Sequence, residues 1–146
     1  MTLATELFTE VNRLTQIVPA SRNAVEITSA YVSMRDYHKA TAIVQAGAIG
    51  VNGIVDAYLV QATDTTGAGA KLITGKAITP LADTDDNNIA VIELDTAELD
   101  IANGFDCIAL TVSHGGAVAI LSSALLIRHT PRFAPVGTDN LAEVVN

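Results

Sequence analysis

The chain is predicted to fold as an all-β protein, an antiparallel β-sandwich of jelly-roll type with a short helix or arm at its N-terminus. Three observations predict it. From Ala24 onward, short β-prone runs are separated by clusters of turn residues. The chain is 49% hydrophobic and only 4% aromatic, so small and β-branched side chains supply most of its apolar content, as close-packed sheets require. Its 146 residues make one ordinary domain with enough chain to bury a single core. The expected organisation is an amphipathic helix or arm over residues 1–22, a sandwich over 23–136 and a C-terminal tail over 137–146.

The first segment carries a helical stripe. Leu3, Leu7, Val11, Leu14 and Val18 recur at intervals of four, four, three and four. Thr2 or Thr5 is placed to cap such a helix, and Pro19 follows it. Two placements fit: a helix packed on its own domain, or an arm docked on a neighbour.

Strands are expected over 25–34, 39–46, 54–62, 71–78, 89–94, 105–112 and 118–127. The breaks between them contain Gly47, Gly50, Asn52 and Gly53; Gly67 and Gly69; the Asp and Asn residues of 83–88; Asn103 and Gly104; and Gly115 and Gly116. Glycine and asparagine accept positive φ at low cost, so these breaks turn tightly. The run 105–112 is apolar on both faces, which suits a central strand. The run 117–127 is also apolar on both faces and could be a buried helix by period alone. The Gly pair before it and Pro131 after it favour a strand. Beyond Arg128, Pro131 and Pro135 favour an extended, unpaired path.

Charge narrows the partners. The net charge is −8, and eight of the sixteen acidic residues lie between Asp83 and Asp106. Such a surface repels phosphate backbones, so no nucleic-acid partner is expected. No membrane association is expected either. The longest apolar stretch, 117–127, is far shorter than the roughly 20 residues of a membrane span. The single cysteine, Cys107, sits in an apolar run and reads as a small buried hydrophobe. No secretory signal pattern opens the chain, and synthesis in the cytoplasm is expected.

The sequence forms no complete catalytic or metal-binding motif. His38, His114 and His129 have no partners at metal-ligand spacing. His114 precedes two glycines, but no nucleophile elbow accompanies it, and it reads as a turn residue. Gly75-Lys76 fails the phosphate-loop pattern on both sides, with Ala70 and Ala77 at its required positions. Asp83, Asp85 and Asn87 match the first, third and fifth ligands of a calcium loop. However, Asn88 replaces the sixth-position glycine and Leu94 the terminal glutamate, so a self-bonded turn is the better reading. Asp95, Glu98 and Asp100 read as a solvated acidic edge. No cofactor, no small-molecule substrate and no enzymatic activity are expected.

Several segments carry a family resemblance. The stretch Arg35-Asp-Tyr-His-Lys-Ala-Thr-Ala-Ile-Val-Gln-Ala-Gly-Ala-Ile-Gly50 resembles the opening of small head proteins of tailed bacteriophages: charged residue, tyrosine, apolar strand, glycine turn. Val55-Asp-Ala-Tyr-Leu-Val-Gln-Ala-Thr-Asp64 and Ala77-Ile-Thr-Pro-Leu-Ala-Asp-Thr-Asp-Asp86 follow. The ending, Arg128-His-Thr-Pro-Arg-Phe-Ala-Pro-Val136, is similar to that family's closing motif. The resemblance, to the head decoration or cement proteins, covers roughly residues 30 to 136.

The resemblance implies a compact β-sandwich that trimerises on the outer surface of an icosahedral virion and bridges subunits of the major capsid protein. Interface residues are then expected at Leu3, Leu7, Val11 and Leu14, and at Arg132, Phe133, Pro135 and Val136. A tail, fibre or adaptor module that binds a host-surface or virion partner is the alternative.

Overall fold

The computed structural model describes residues 7–137 and 141–145. One helical turn, α1 (Phe8–Val11), precedes ten strands: β1 (Arg13–Arg22), β2 (Glu26–Thr28), β3 (Val32–Ser33), β4 (Tyr37–Ala46), β5 (Ile54–Ala62), β6 (Lys71–Ala77), β7 (Leu81–Ala82), β8 (Ile89–Asp95), β9 (Cys107–Gly115) and β10 (Ile120–Pro131). One sheet has the order β1-β10-β4-β8. The other runs β2-β9-β5-β6, with β3 also on β9 and β7 also on β5. Every pairing is antiparallel. The chain crosses between sheets so that β10 lies between β1 and β4, and β9 between β2 and β5. That is the double Greek key of a jelly roll.

Alternation builds the core between the sheets. On β4, Ala40, Ala42, Val44 and Ala46 are buried and face inward, while Lys39 and Gln45 are exposed. On the facing sheet, Val55, Ala57 and Leu59 of β5 meet Ile108, Leu110 and Val112 of β9 in the same cluster. β9 is buried on both faces over 107–112. It is the central strand that its two-sided apolar sequence requires. The run after Gly116 is strand β10, and positive φ at Gly116 and Ala117 turns the chain into it.

The N-terminal helix is corrected. Residues 1–6, including Leu3, lie outside the described residues, and only Phe8–Val11 is helical. Asn12 is extended, with φ −131 and ψ 142. From Arg13 the chain pairs with β10, Leu14 opposite Ile127 and Ile17 opposite Ala124. β-branched Thr15, Ile17 and Val18 suit that pairing better than a helix interior. The fourfold apolar spacing was therefore not one buried face: Ile17, off the stripe, is buried, and Val18, on it, is 54% exposed. Proline at 19 supplies no ladder N–H, and the register shifts between Ile17 and Ala20. The sandwich thus begins at Arg13, inside the segment expected to be an arm.

Two other expectations change. The run 25–34 is divided into β2 and β3. Thr28 pairs with Thr111 and Val32 with Ile108, so one side advances four residues while the other advances three. Ser29 occupies the break, where its N–H donates to the Leu110 carbonyl at 2.8 Å and its hydroxyl accepts the Leu110 N–H at 3.0 Å. The stretch after Arg128 is not unpaired. His129 stays opposite Lys39 and Pro131 opposite Tyr37, so β10 ends three residues later than Arg128.

Candidate functional site

The outer face of the four-stranded sheet carries a group of apolar side chains among polar ones. Residues that alternate away from the core stand side by side in register. Leu14 is opposite Ile127, Leu125 opposite Ile43, Ile43 opposite Val91, and Gln45 opposite Ile89. Val91 is 54% exposed and Ile89 is 58% exposed. Leu121 on β10 extends the row and is also exposed. Leu125 meets the row at its centre. At one edge a cleft is formed by Leu14, Thr15, Gln16, Leu125, Leu141 and Ala142, so the C-terminal segment lies beside this face. Exposed apolar side chains grouped on a water-facing sheet mark a candidate contact surface.

Of the sequence-predicted contact residues, Leu7, Val11, Arg132, Phe133, Pro135 and Val136 fall at one end of the sandwich. Leu7 is exposed at the start of α1, and Val11 closes that turn. The Glu10 carbonyl accepts the Val136 N–H at 2.9 Å, and the Arg13 guanidinium donates to the Val136 carbonyl at 2.5 Å. The closing segment is therefore tied to the start of β1. Arg132 is tied to the turn before β4: its N–H donates to the Asp36 backbone carbonyl at 2.7 Å and its Nε to the Arg35 carbonyl at 2.7 Å. Phe133, between these anchors, is 77% exposed. Val11 and Ala134 share a shallow cleft. The structure thus brings Val11 and the 132–136 segment together. Leu14 belongs instead to the outer apolar face.

That apolar face escaped sequence reading. Its members come from four strands that are far apart in the chain, and only the sheet order makes them neighbours. The signal present was two-sided hydrophobicity in β8 and β10, which equally describes a strand buried on both faces.

The polar candidates are absorbed by local structure. In the 83–88 turn, Asp85 accepts the Ala82 N–H at 3.0 Å and Asp86 accepts the Ile49 N–H at 2.7 Å. Asn87, not Asn88, takes the left-handed conformation, with φ 62. Asp100 pairs with Lys71 at 2.5 Å, and Glu98 with Lys76 at 2.8 Å. Lys71 also lies 3.9 Å from the Phe105 ring centre. The hydrogen bond from Lys71 lowers the Asp100 pKa, and the hydrogen bond from the Asp95 N–H, then that from Lys76, lowers the Glu98 pKa. The acidic edge is therefore partly an ion-pair edge. Among the described residues, no group of three or more His, Cys, Asp or Glu side chains is placed to hold a metal ion. No described helix is long and apolar enough to cross a membrane.

His114 is not a turn residue. It lies on β9, buried, with Nδ1 2.9 Å from the Val25 carbonyl and Nε2 2.7 Å from the Ser122 hydroxyl. Burial lowers its pKa, and nearby Arg22 adds to the effect. Its hydrogen bonds link the two sheets at the corner between β1 and β2.

No protein-family model matches the chain, and no curated protein sequence matches it. Among solved structures, a chain of the cowpea mosaic virus empty virus-like particle is similar, with TM-score 0.47 and 13% identity over 99% of this chain and 91% of that one. The SPBc2 prophage-derived protein YomS has TM-score 0.45 and 7% identity, over 84% of this chain and 99% of that one. A pilus subunit of Bacillus endospore appendages has TM-score 0.45 and 12% identity, over 84% of this chain and 90% of that one. Each is a distant likeness.

Proposed function

We propose that this chain is a structural virion protein that decorates an icosahedral capsid, assembling as a trimer and bridging subunits of the major capsid protein. The observation that carries the reading is the apolar outer face of the β1-β10-β4-β8 sheet. Exposed Val91, Ile89 and Leu121 leave apolar surface in water that association would cover. Jelly rolls serve as capsid and lectin domains and as cupins. Here the space between the sheets is filled by Val44, Val55, Leu59, Leu110, Ile120 and Leu126, all buried. A filled interior favours a building block over a fold that houses its ligand inside the barrel.

In this reading the protein stabilises the shell by mass action. It binds the assembled particle and not the dissociated subunits, so each bound trimer shifts the equilibrium toward the shell. Several equivalent contacts per trimer add avidity. The test has two arms. Light scattering on the purified protein is expected to give three times the monomer mass. Particles lacking the protein are expected to release their contents at lower temperature than decorated ones. Equal release temperatures would remove the decorating role.

A further inference from the structure

At the end of the sandwich where β1 begins and β10 ends, a cleft of about 370 Å³ is lined by Arg13, Asp36, Tyr37, Arg128, Phe133 and Pro135. Arg128 continues the inward series of Ala124 and Leu126 on β10, a position where a charged side chain is unexpected. Its guanidinium stacks on the buried Tyr37 ring, 4.8 Å from the ring centre. Nη1 donates to the Ser33 carbonyl at 2.8 Å. Nε is buried and has no hydrogen-bond partner. None of the ion pairs among the described residues includes Arg128. Burial therefore works against its charge and lowers its pKa.

A half-buried guanidinium with no carboxylate within ion-pair distance is costly, Asp36 on the wall offsets only part of that cost, and an incoming carboxylate offsets more with charge-assisted hydrogen bonds. Asp36 already places one negative group on the wall, so a doubly charged anion meets more repulsion than a single carboxylate. Phe133 supplies an exposed aromatic rim beside the guanidinium, and Arg with an aromatic is the composition of a protein-binding hot spot.

We propose that this cleft receives a carboxylate-bearing segment of a partner protein, an Asp or Glu beside an apolar side chain. The carboxylate sits against Arg128, and the apolar neighbour packs on Phe133 and Pro135. The reading above enters only in naming the capsid as the protein that carries this segment.

The test is a titration of the full-length, ¹⁵N-labelled protein with the α-amide of N-acetyl-leucyl-glutamate, which carries a single carboxylate, following the Arg128 Nε–H and Tyr37 ring signals by NMR. Saturable shifts of both are expected. Arg128→Lys keeps the charge but loses the planar fork, and is expected to weaken binding at least about tenfold. Phe133→Ala removes an exposed ring without disturbing the core, and is expected to weaken it severalfold while the rest of the spectrum is unchanged. No shift at Arg128, an undiminished response in Phe133→Ala, or an equal response to inorganic phosphate each overturns the proposal. Peptide binding without particle binding would sink the capsid reading and leave the cleft. Particle binding by both variants at wild-type strength, with no peptide shift, would do the reverse.

Discussion

His114 and Ser122 join the two sheets: Nε2 of the buried imidazole lies 2.7 Å from the hydroxyl, while Nδ1 lies 2.9 Å from the Val25 carbonyl. The carbonyl can only accept, so Nδ1 carries the proton and Nε2 accepts from Ser122. Protonation would turn Nε2 into a donor. The hydroxyl would then have to rotate, beside an Arg22 guanidinium whose Nη1 already donates to the Ser122 carbonyl at 3.2 Å.

A pH dependence follows. His114 has a folded pKa below its ordinary 6.5, because burial disfavours the charged ring. Between the folded and unfolded values the unfolded chain binds more protons, so stability rises with pH there. Stability is fullest above the ordinary histidine pKa and falls as pH drops from it toward the lowered folded value. His129, lowered first by burial and then by Lys39, acts in the same direction. Urea midpoints are expected to fall between about pH 7.5 and about pH 5.5, and His114→Gln is expected to flatten much of that slope. The variant should also lose roughly 1–3 kcal/mol at neutral pH, since Ser122 and the Val25 carbonyl lose a buried partner. An unchanged slope in His114→Gln would place the titration elsewhere.

Cys107 is expected to be chemically silent in the folded protein. Burial first, then its hydrogen bond to Asp106, pushes the thiol up to about 11. The thiolate is the reactive form, so little is available at neutral pH. Ellman's reagent is expected to label the chain only after denaturant is added. Rapid labelling of the native protein would contradict the buried position on β9.

Much of the fold was legible because alternation and turn chemistry coincide. The expected strand at 54–62 is β5 residue for residue, and Gly115 and Gly116 mark the turn into β10. The N-terminal segment misled because its Leu and Val spacing fits a helix while its partner, β10, lies about a hundred residues away. A local pattern carries no trace of a long-range partner. The same reason hid the apolar face and the cleft at Arg128. Leu14, Leu125, Ile43 and Val91 become neighbours only through sheet order, and so do Arg13, Tyr37 and Arg128. Of the predicted contact residues, the 132–136 group was readable as an irregular, proline-bearing end. Its association with Val11 and Arg13 was not.

Two glycines should respond differently to the same change. A Cβ at Gly116 would meet the Asn52 carbonyl oxygen at 2.0 Å, and its φ is +91. A Cβ at Gly75 meets nothing within 4 Å, although its φ is +76. Gly75→Ala is therefore expected to cost about 1–2 kcal/mol of left-handed strain. Gly116→Ala adds a backbone collision at the turn between β9 and β10 and is expected to cost clearly more. Thermal unfolding of the two variants compares them directly. Equal losses would mean that the 52–53 loop yields to the added methyl.

The outer apolar face makes the sharpest separation between folding and assembly. Val91 is 54% exposed, and its neighbour across the strand pair is Ile43 on β4. Its side chain contributes little to the core, which on β8 is supplied by buried Ile92 and Leu94. Val91→Lys is therefore expected to change stability by no more than about 0.5–1 kcal/mol. Leu125 lies at the centre of the same face, and Leu125→Asp is expected to cost somewhat more because it is only 36% exposed. Both place a charge in the middle of apolar surface, and covering an unpaired charge costs far more than an apolar contact returns. Sedimentation is expected to show loss of self-association in both variants at unchanged circular dichroism. Glu93→Lys, two residues along β8 on the same face but outside the apolar row, is the control and should associate as the parent does. If Val91→Lys and Leu125→Asp associate as the parent does, the self-association contact lies off this face, and the end of the sandwich around Val11 and Phe133 becomes the surface to test.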